Sequence, residues 1–158
     1  MRARWVPEEN FHVTVRFLGE VDALLTVNLE GAARTICGGL EPFDILLSEI
    51  GTFPSFDQPR VLWIGDRACP PFRGLASSLN YELRAHGFAR DRGDAIAHVT
   101  LARIKGRPDP RLESVARNAT PQAPVRILVD RLTLMQSERT PEGARYAPLF
   151  SVPFGRRS

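Results

Sequence analysis

The chain's 158 residues suit one domain with a sizeable core, and a second full domain is not expected. Hydrophobic residues make up 43% and charged residues 25%, an ordinary soluble balance, and no apolar run approaches the ~20 residues of a membrane span. The net charge of +3 does not by itself imply nucleic-acid binding, although all but one of the 21 basic residues are arginine, with Lys105 the exception.

Phe11 to Leu18 alternates apolar and polar residues with β-branched side chains, and Gly19 follows, which predicts a strand over 11–18. Asp22 to Cys37 reads as a helix with Asp22 at its cap and Gly38-Gly39 as its stop. Phe43 to Phe53 reads as one strand and Arg60 to Gly65 as the next, joined by the loop Pro54 to Pro59. Pro70-Pro71 open a helix to about His86, with an apolar stripe of Leu75, Ala76, Leu79, Tyr81 and Leu83, and Gly87 suits the position past its end. The polar loop Arg90-Asp91-Arg92-Gly93-Asp94 leads into a strand over Ile96–Ile104. Pro110–Ala119 is a short helix and Val125–Gln136 a long strand; Thr140-Pro141-Glu142-Gly143 turns the chain into a returning strand over Arg145–Val152. Strands outnumber helices and hairpins recur, so the expected class is α+β with mainly antiparallel sheet. No linker-like stretch divides residues 1–158, which are expected to form a single domain.

The N-terminus, Met1-Arg2-Ala3-Arg4-Trp5, lacks the apolar core of a signal peptide, so a cytoplasmic location is expected, with no membrane partner. Cys37 and Cys69 share no metal-ligand spacing and are expected as buried thiols rather than a disulfide. Arginine makes two-pronged contacts to phosphate and stacks on bases. Genome composition also enriches arginine, so this points to a phosphate-bearing partner only in company with other features.

That company is a repeat. His12-Val13-Thr14 recurs as His98-Val99-Thr100, roughly half the chain later, in matching apolar surroundings, which suggests two similar lobes facing a cleft. Residues i and i+2 of a strand share a face. His12 with Thr14, and His98 with Thr100, therefore each present an imidazole and a hydroxyl together. Two imidazoles near neutral pH can supply one proton acceptor and one proton donor, and two hydroxyls can donate hydrogen bonds to non-bridging phosphate oxygens. That set suits cleavage of a phosphodiester. One H-x-T alone is weak evidence, because a lone strand histidine is usually structural; two copies on inward faces are hard to explain without a purpose. A zinc site needs a third protein ligand, and none stands at suitable spacing. No cofactor or metal is expected.

Arg103 stands five residues after His98, an odd offset that a straight strand would turn away; it needs a bend or the strand's end to reach a phosphate, and Lys105 and Arg107 are nearby substitutes. Arg16 shares the His12 face by parity and suits either a phosphate contact or a surface salt bridge. Phe17 shares Arg103's offset, so it reaches a base where the strand bends, although core packing is the better expectation for both Phe17 and Trp5. Trp63 is expected in the core, and His86 in the last helical turn, where the helix dipole favours a cation.

These residues resemble the 2H phosphoesterase superfamily, and within it the RNA 2′,3′-cyclic phosphodiesterases (the LigT or ThpR group, also called 2′-5′ RNA ligases). The likeness runs through Trp5 to Glu20, Pro59 to Gly65, His98 to Arg103, Leu132 to Ser137 and Gly143 to Tyr146, essentially the whole chain. It implies a two-lobed α+β fold with pseudo-twofold symmetry, outer helices and a central cleft. It also implies metal-independent hydrolysis of an RNA 2′,3′-cyclic phosphate to a 2′-phosphate. By that resemblance His12 is the proton donor, His98 the proton acceptor, and Thr14, Thr100 and Arg103 hold the phosphate. The implied partner is RNA with a 2′,3′-cyclic phosphate end, or a cyclic nucleotide, and a monomer is the expected state. Two departures stand out: the family usually carries a strand and a helix before the first motif, and Ala97 takes the place of a common proline. A 2′-5′ ligase acting on tRNA halves and a non-catalytic RNA-end-binding module are the competing readings.

Overall fold

The computed structural model describes residues 1–91, 93–141 and 143–155, so Arg92 of the predicted polar loop and Glu142 of the predicted turn lie outside the described residues. The class is α+β, with three α-helices and antiparallel sheet among the described residues. The strands are β1 (Arg2–Trp5), β2 (Phe43–Leu47), β3 (Glu49–Phe53), β4 (Val61–Asp66), β5 (Ala97–Lys105), β6 (Val125–Val129), β7 (Arg131–Thr140) and β8 (Gly143–Pro153). The helices are α1 (Thr26–Gly38), α2 (Pro70–Ala85) and α3 (Leu112–Ala119). No described helix is long and apolar enough to cross a membrane.

The chain divides into two compact units, the first built from residues 1–15, 44–72 and 95–127 and the second from 16–43, 73–94 and 128–158. In the first, a four-stranded antiparallel sheet runs in the order β1-β5-β4-β3. Ala97, Val99, Ala102 and Ile104 of β5 are buried on one face of this sheet, and α3 packs beside β3 with Ala116 buried. Trp63 of β4 is fully buried, as expected, on the other face. Beside the sheet, the Asp44 carboxylate of β2 accepts a hydrogen bond from the Arg126 guanidinium of β6. In the second unit the β7–β8 hairpin packs on α1, whose apolar side buries Leu29, Ala32, Ala33, Ile36 and Cys37 against Val152 and Phe154. Gly155 closes that contact: its N–H donates to the Cys37 carbonyl at 2.9 Å, and a Cβ there would stand 2.8 Å from the Gly38 carbonyl oxygen. Both cysteines are buried thiols and neither is in a disulfide.

Several sequence expectations need correction. The predicted strand over 11–18 is reduced to a single bridge, Val13 to Val99, and just ahead of it Glu8–Asn10 coil into a 3₁₀ turn. Ahead of it, β1 is a strand that the sequence reading did not find; its alternation, Arg-Ala-Arg-Trp, is only four residues long, and all four are exposed. The single strand expected over 43–53 is two strands in different sheets, parted at Ser48, whose N–H turns to the Gly65 carbonyl. The expected strand over 125–136 likewise divides at Asp130 into β6 and β7. The helix expected from Asp22 begins as a 3₁₀ turn, with the Asp22 carboxylate capping the Leu24 N–H at 2.9 Å, and becomes α-helical at Thr26. Tyr81 leaves the α2 stripe and is 74% exposed, because six residues beyond Leu75 is about 240° round the helix, off the face of Phe72, Leu75, Ala76 and Leu83. His86 follows the end of α2 rather than lying in its last turn.

Candidate active site

Both H-x-T motifs belong to the first unit, and the Val13–Val99 bridge makes them neighbours. Val99 is buried, so the flanking residues His12, Thr14, His98 and Thr100 take the opposite face of the sheet. The bridge is antiparallel. That sense sets Thr14 on the His98 side and His12 on the Thr100 side, so the two imidazoles are placed diagonally.

Arg103 reaches the same face through a β-bulge. Leu62 of β4 pairs with Ala102, but the next residue, Trp63, pairs with Thr100, which leaves Leu101 as the extra residue of β5. One extra residue inverts the alternation beyond it. Ala102 and Ile104 are accordingly buried with Ala97 and Val99, while Arg103 and Lys105 are exposed on the face of His98 and Thr100. Of the two routes that the odd spacing of His98 and Arg103 left open, a bend or the strand's end, the strand takes the bend.

The two imidazoles are held in the same way. Nδ1 of His12 lies 2.7 Å from the carbonyl oxygen of Asn10, and Nδ1 of His98 lies 2.8 Å from that of Ile96, in each case two residues upstream. A carbonyl only accepts, so Nδ1 carries the proton in both rings, and in the neutral form the lone pair falls on Nε2. His98 is half-buried and packed by aromatic rings. Phe53 meets it edge-on at a centroid distance of 4.9 Å and 77° between planes, and Trp63 lies 6.0 Å away. Burial holds the His98 pKa below the ordinary imidazole value, and repulsion from a protonated His12 adds to the lowering; its bond to Ile96 opposes both without reversing them.

Two glycines make this packing possible. Gly65 pairs with His98, and a Cβ there would stand 2.5 Å from the Ala97 carbonyl oxygen. Gly51 pairs with Trp63, and a Cβ there would enter the indole at 2.3 Å. The Arg67 guanidinium lies over Trp63, 4.9 Å from its centroid, and pairs with Glu49 at 2.7 Å. Sequence reasoning did not find Phe53, Gly65, Gly51 or the two carbonyls. Only the pattern of Gly51 facing Trp63-Ile64-Gly65 across β3 and β4 could have signalled them, and it is not contiguous.

Arg16 and Phe17 belong to the second unit. Arg16 forms an ion pair with Asp91 at 3.1 Å and donates to the Ala89 carbonyl, the salt bridge that was one of its two expected roles. Phe17 is 75% exposed and Trp5 66% exposed, so neither is a core residue as expected. The register of Trp5 opposite Ala102 puts it on the face away from His98.

With this fold and this face, the chain belongs to the LigT-like phosphoesterase family, the 2H group, whose model matches residues 1–63 and 68–146. It is similar to the RNA 2′,3′-cyclic phosphodiesterase of Archaeoglobus fulgidus, 34% identical over 144 residues that cover 91% of this chain and 80% of that protein. It is also similar to the protein of the same name from Thermotoga maritima, 32% identical over 155 residues, 96% of this chain and 80% of that one. Among solved structures it matches TT0787 of Thermus thermophilus with a TM-score of 0.77 at 26% identity, covering 98% of this chain and 84% of that one. It matches E. coli LigT complexed with 3′-AMP with a TM-score of 0.76, also at 26% identity, covering 98% and 82%.

Proposed function

We propose that this chain hydrolyses RNA 2′,3′-cyclic phosphate ends to 2′-phosphomonoesters by two-histidine acid–base catalysis without a metal. The observation that carries the reading is the matched pair of imidazoles, each with Nδ1–H held by the carbonyl two residues upstream, on a face shared with Thr14, Thr100 and Arg103. The names of the relatives point to the same substrate.

In this mechanism Nε2 of neutral His98 takes a proton from water, and the water oxygen bonds to phosphorus. The bond from phosphorus to the 3′ oxygen breaks, and His12 gives its Nε2 proton to that leaving oxygen. A 3′-hydroxyl and a 2′-phosphate result. The hydroxyls of Thr14 and Thr100 and the guanidinium of Arg103 bind the non-bridging oxygens, where charge accumulates. The lowered pKa of His98 supports the acceptor role, since a base must be neutral to act.

Purified protein in EDTA is expected to open a 2′,3′-cyclic nucleotide and leave only the 2′-phosphate. His12→Ala and His98→Ala should each lower kcat by about 10²–10⁴-fold with the far-UV circular dichroism unchanged. Turnover abolished by chelation and restored by zinc would overturn the mechanism. Tight RNA binding without turnover would favour a binding module instead.

A further inference from the structure

Beyond the bulge, the sheet carries a feature that the hydrolytic step does not use. The β1–β5 register sets Arg4 directly opposite Arg103 and Arg2 directly opposite Lys105. Cross-strand partners share a face. The bulge has already brought Arg103 and Lys105 onto the face of His98 and Thr100, so Arg2 and Arg4 take it too. The result is a ladder of two cation rungs, all four side chains exposed, that begins beside the Thr100 position and runs away from it.

Like charges placed directly opposite one another repel. A sheet built for stability alone would set a carboxylate on one side of each rung. None of the four forms an ion pair with a described carboxylate; the described ion pairs go to other arginines. Four cations that no described carboxylate pairs, set in two cross-strand rungs, favour an extended polyanion. The rungs are two residues apart along each strand, about 6.6 Å, close to the separation of consecutive phosphates in an extended single strand.

We propose that Arg2, Arg4 and Lys105, continuing from Arg103, form a track for the phosphodiester backbone on the 5′ side of the reacting end, so that the favoured substrate is an oligonucleotide terminus rather than a mononucleotide. The direction rests on the cyclic-phosphate reading above. A nucleotide whose 2′ and 3′ oxygens are both held by the cyclic phosphate continues only through its 5′ oxygen, so every further phosphate lies 5′-ward. The alternative is that charge on β1 merely guards an exposed sheet edge against pairing. Any charge of either sign would do that.

The test compares wild type, Arg2→Gln/Arg4→Gln, Arg2→Lys/Arg4→Lys and Arg2→Glu/Arg4→Glu on a 2′,3′-cyclic mononucleotide and on a hexaribonucleotide ending in a 2′,3′-cyclic phosphate. In the glutamine variant, kcat/KM for the hexamer should fall about 10-fold at low salt while that for the mononucleotide stays unchanged. Its log–log salt slope for hexamer binding should shrink by about 1.4, the loss of two single-strand phosphate contacts at ~0.7 each. The lysine variant should restore most of the loss, and the glutamate variant should deepen it. Equal effects on both substrates, or an unchanged salt slope, would overturn the track. Fluorescence anisotropy with a 3′-phosphorylated hexaribonucleotide gives the same comparison without turnover. A wild-type protein that binds this RNA through Arg2 and Arg4 but opens no cyclic phosphate would refute the hydrolytic reading and leave the track standing.

Discussion

At His98, burial and a second imidazole push in one direction, and pH is the natural probe. Its folded pKa lies below the ordinary ~6.5 of a free imidazole, so the acidic limb of kcat/KM should lie below that value. Phe53→Ala should admit water to the ring and move the limb to higher pH, with the circular dichroism spectrum as a check on folding. The same movement should show in the imidazole resonances of His98 in a His12→Gln protein, where the like-charge repulsion is gone; no movement in either would mean that these neighbours do not set the value. The sign for stability follows. The unfolded chain takes up the His98 proton first as pH falls through ~6.5, so the folded state loses stability from there down to the lowered folded value. At this scale the sequence was informative about what side chains advertise: the two H-x-T copies and their shared face. It was silent about Phe53, whose contact with His98 joins distant parts of the chain and leaves no local pattern.

Strand β5 carries most of the site, and its irregularity is what makes it useful. A regular strand cannot aim His98 and Arg103 at one target. Removal of Leu101 shortens the spacing of His98 and Arg103 to four residues, so regular alternation should keep Arg103 on the His98 face and kcat/KM should fall far less than the roughly 10²-fold expected of Arg103→Gln. A folded Leu101-deleted protein that loses as much activity as Arg103→Gln would sink this account. Gly65→Ala tests the neighbouring strand. Its Cβ meets backbone at the Ala97 carbonyl rather than a flexible side chain, so β5 must shift at His98. A loss of about 1–3 kcal/mol by denaturant titration is expected, together with a fall in kcat. Strand β5 was legible because Val99 and Ile104 sit in a β-rich apolar run, and the spacing of His98 and Arg103 even implied a bend or the strand's end. Strand β1 was not, because its alternation spans only four residues, none of them buried. Residues 11–18 were over-read: the alternation is genuine, but only Val13 pairs, with Val99, and alternation does not say whether a neighbouring strand runs alongside.

The whole chain threads its two compact units in alternation, crossing from one to the other five times, and α2 itself crosses after Phe72. Neither unit is a continuous piece that could be made alone. We therefore propose a single cooperative domain over residues 1–158. The two buried thiols report on it, Cys37 in the second unit and Cys69 in the first. Pulsed thiol labelling through a urea titration should give one midpoint for both cysteines; two separate midpoints would reject the single domain. Composition and element order were enough for the α+β class, because those depend on local periodicity. The interleaving depends on which strands pair across the chain, and periodicity does not encode that.

The atoms that fix the protonation pattern of both imidazoles belong to the main chain. The carbonyls of Asn10 and Ile96 are present whatever side chains stand at those positions. Genetic variation therefore cannot delete either acceptor, and a scan replacing every side chain in turn would find no residue responsible for it. Chemical synthesis can reach it: an ester in place of the amide after Asn10 or after Ile96 weakens the acceptor while leaving the encoded residues unchanged.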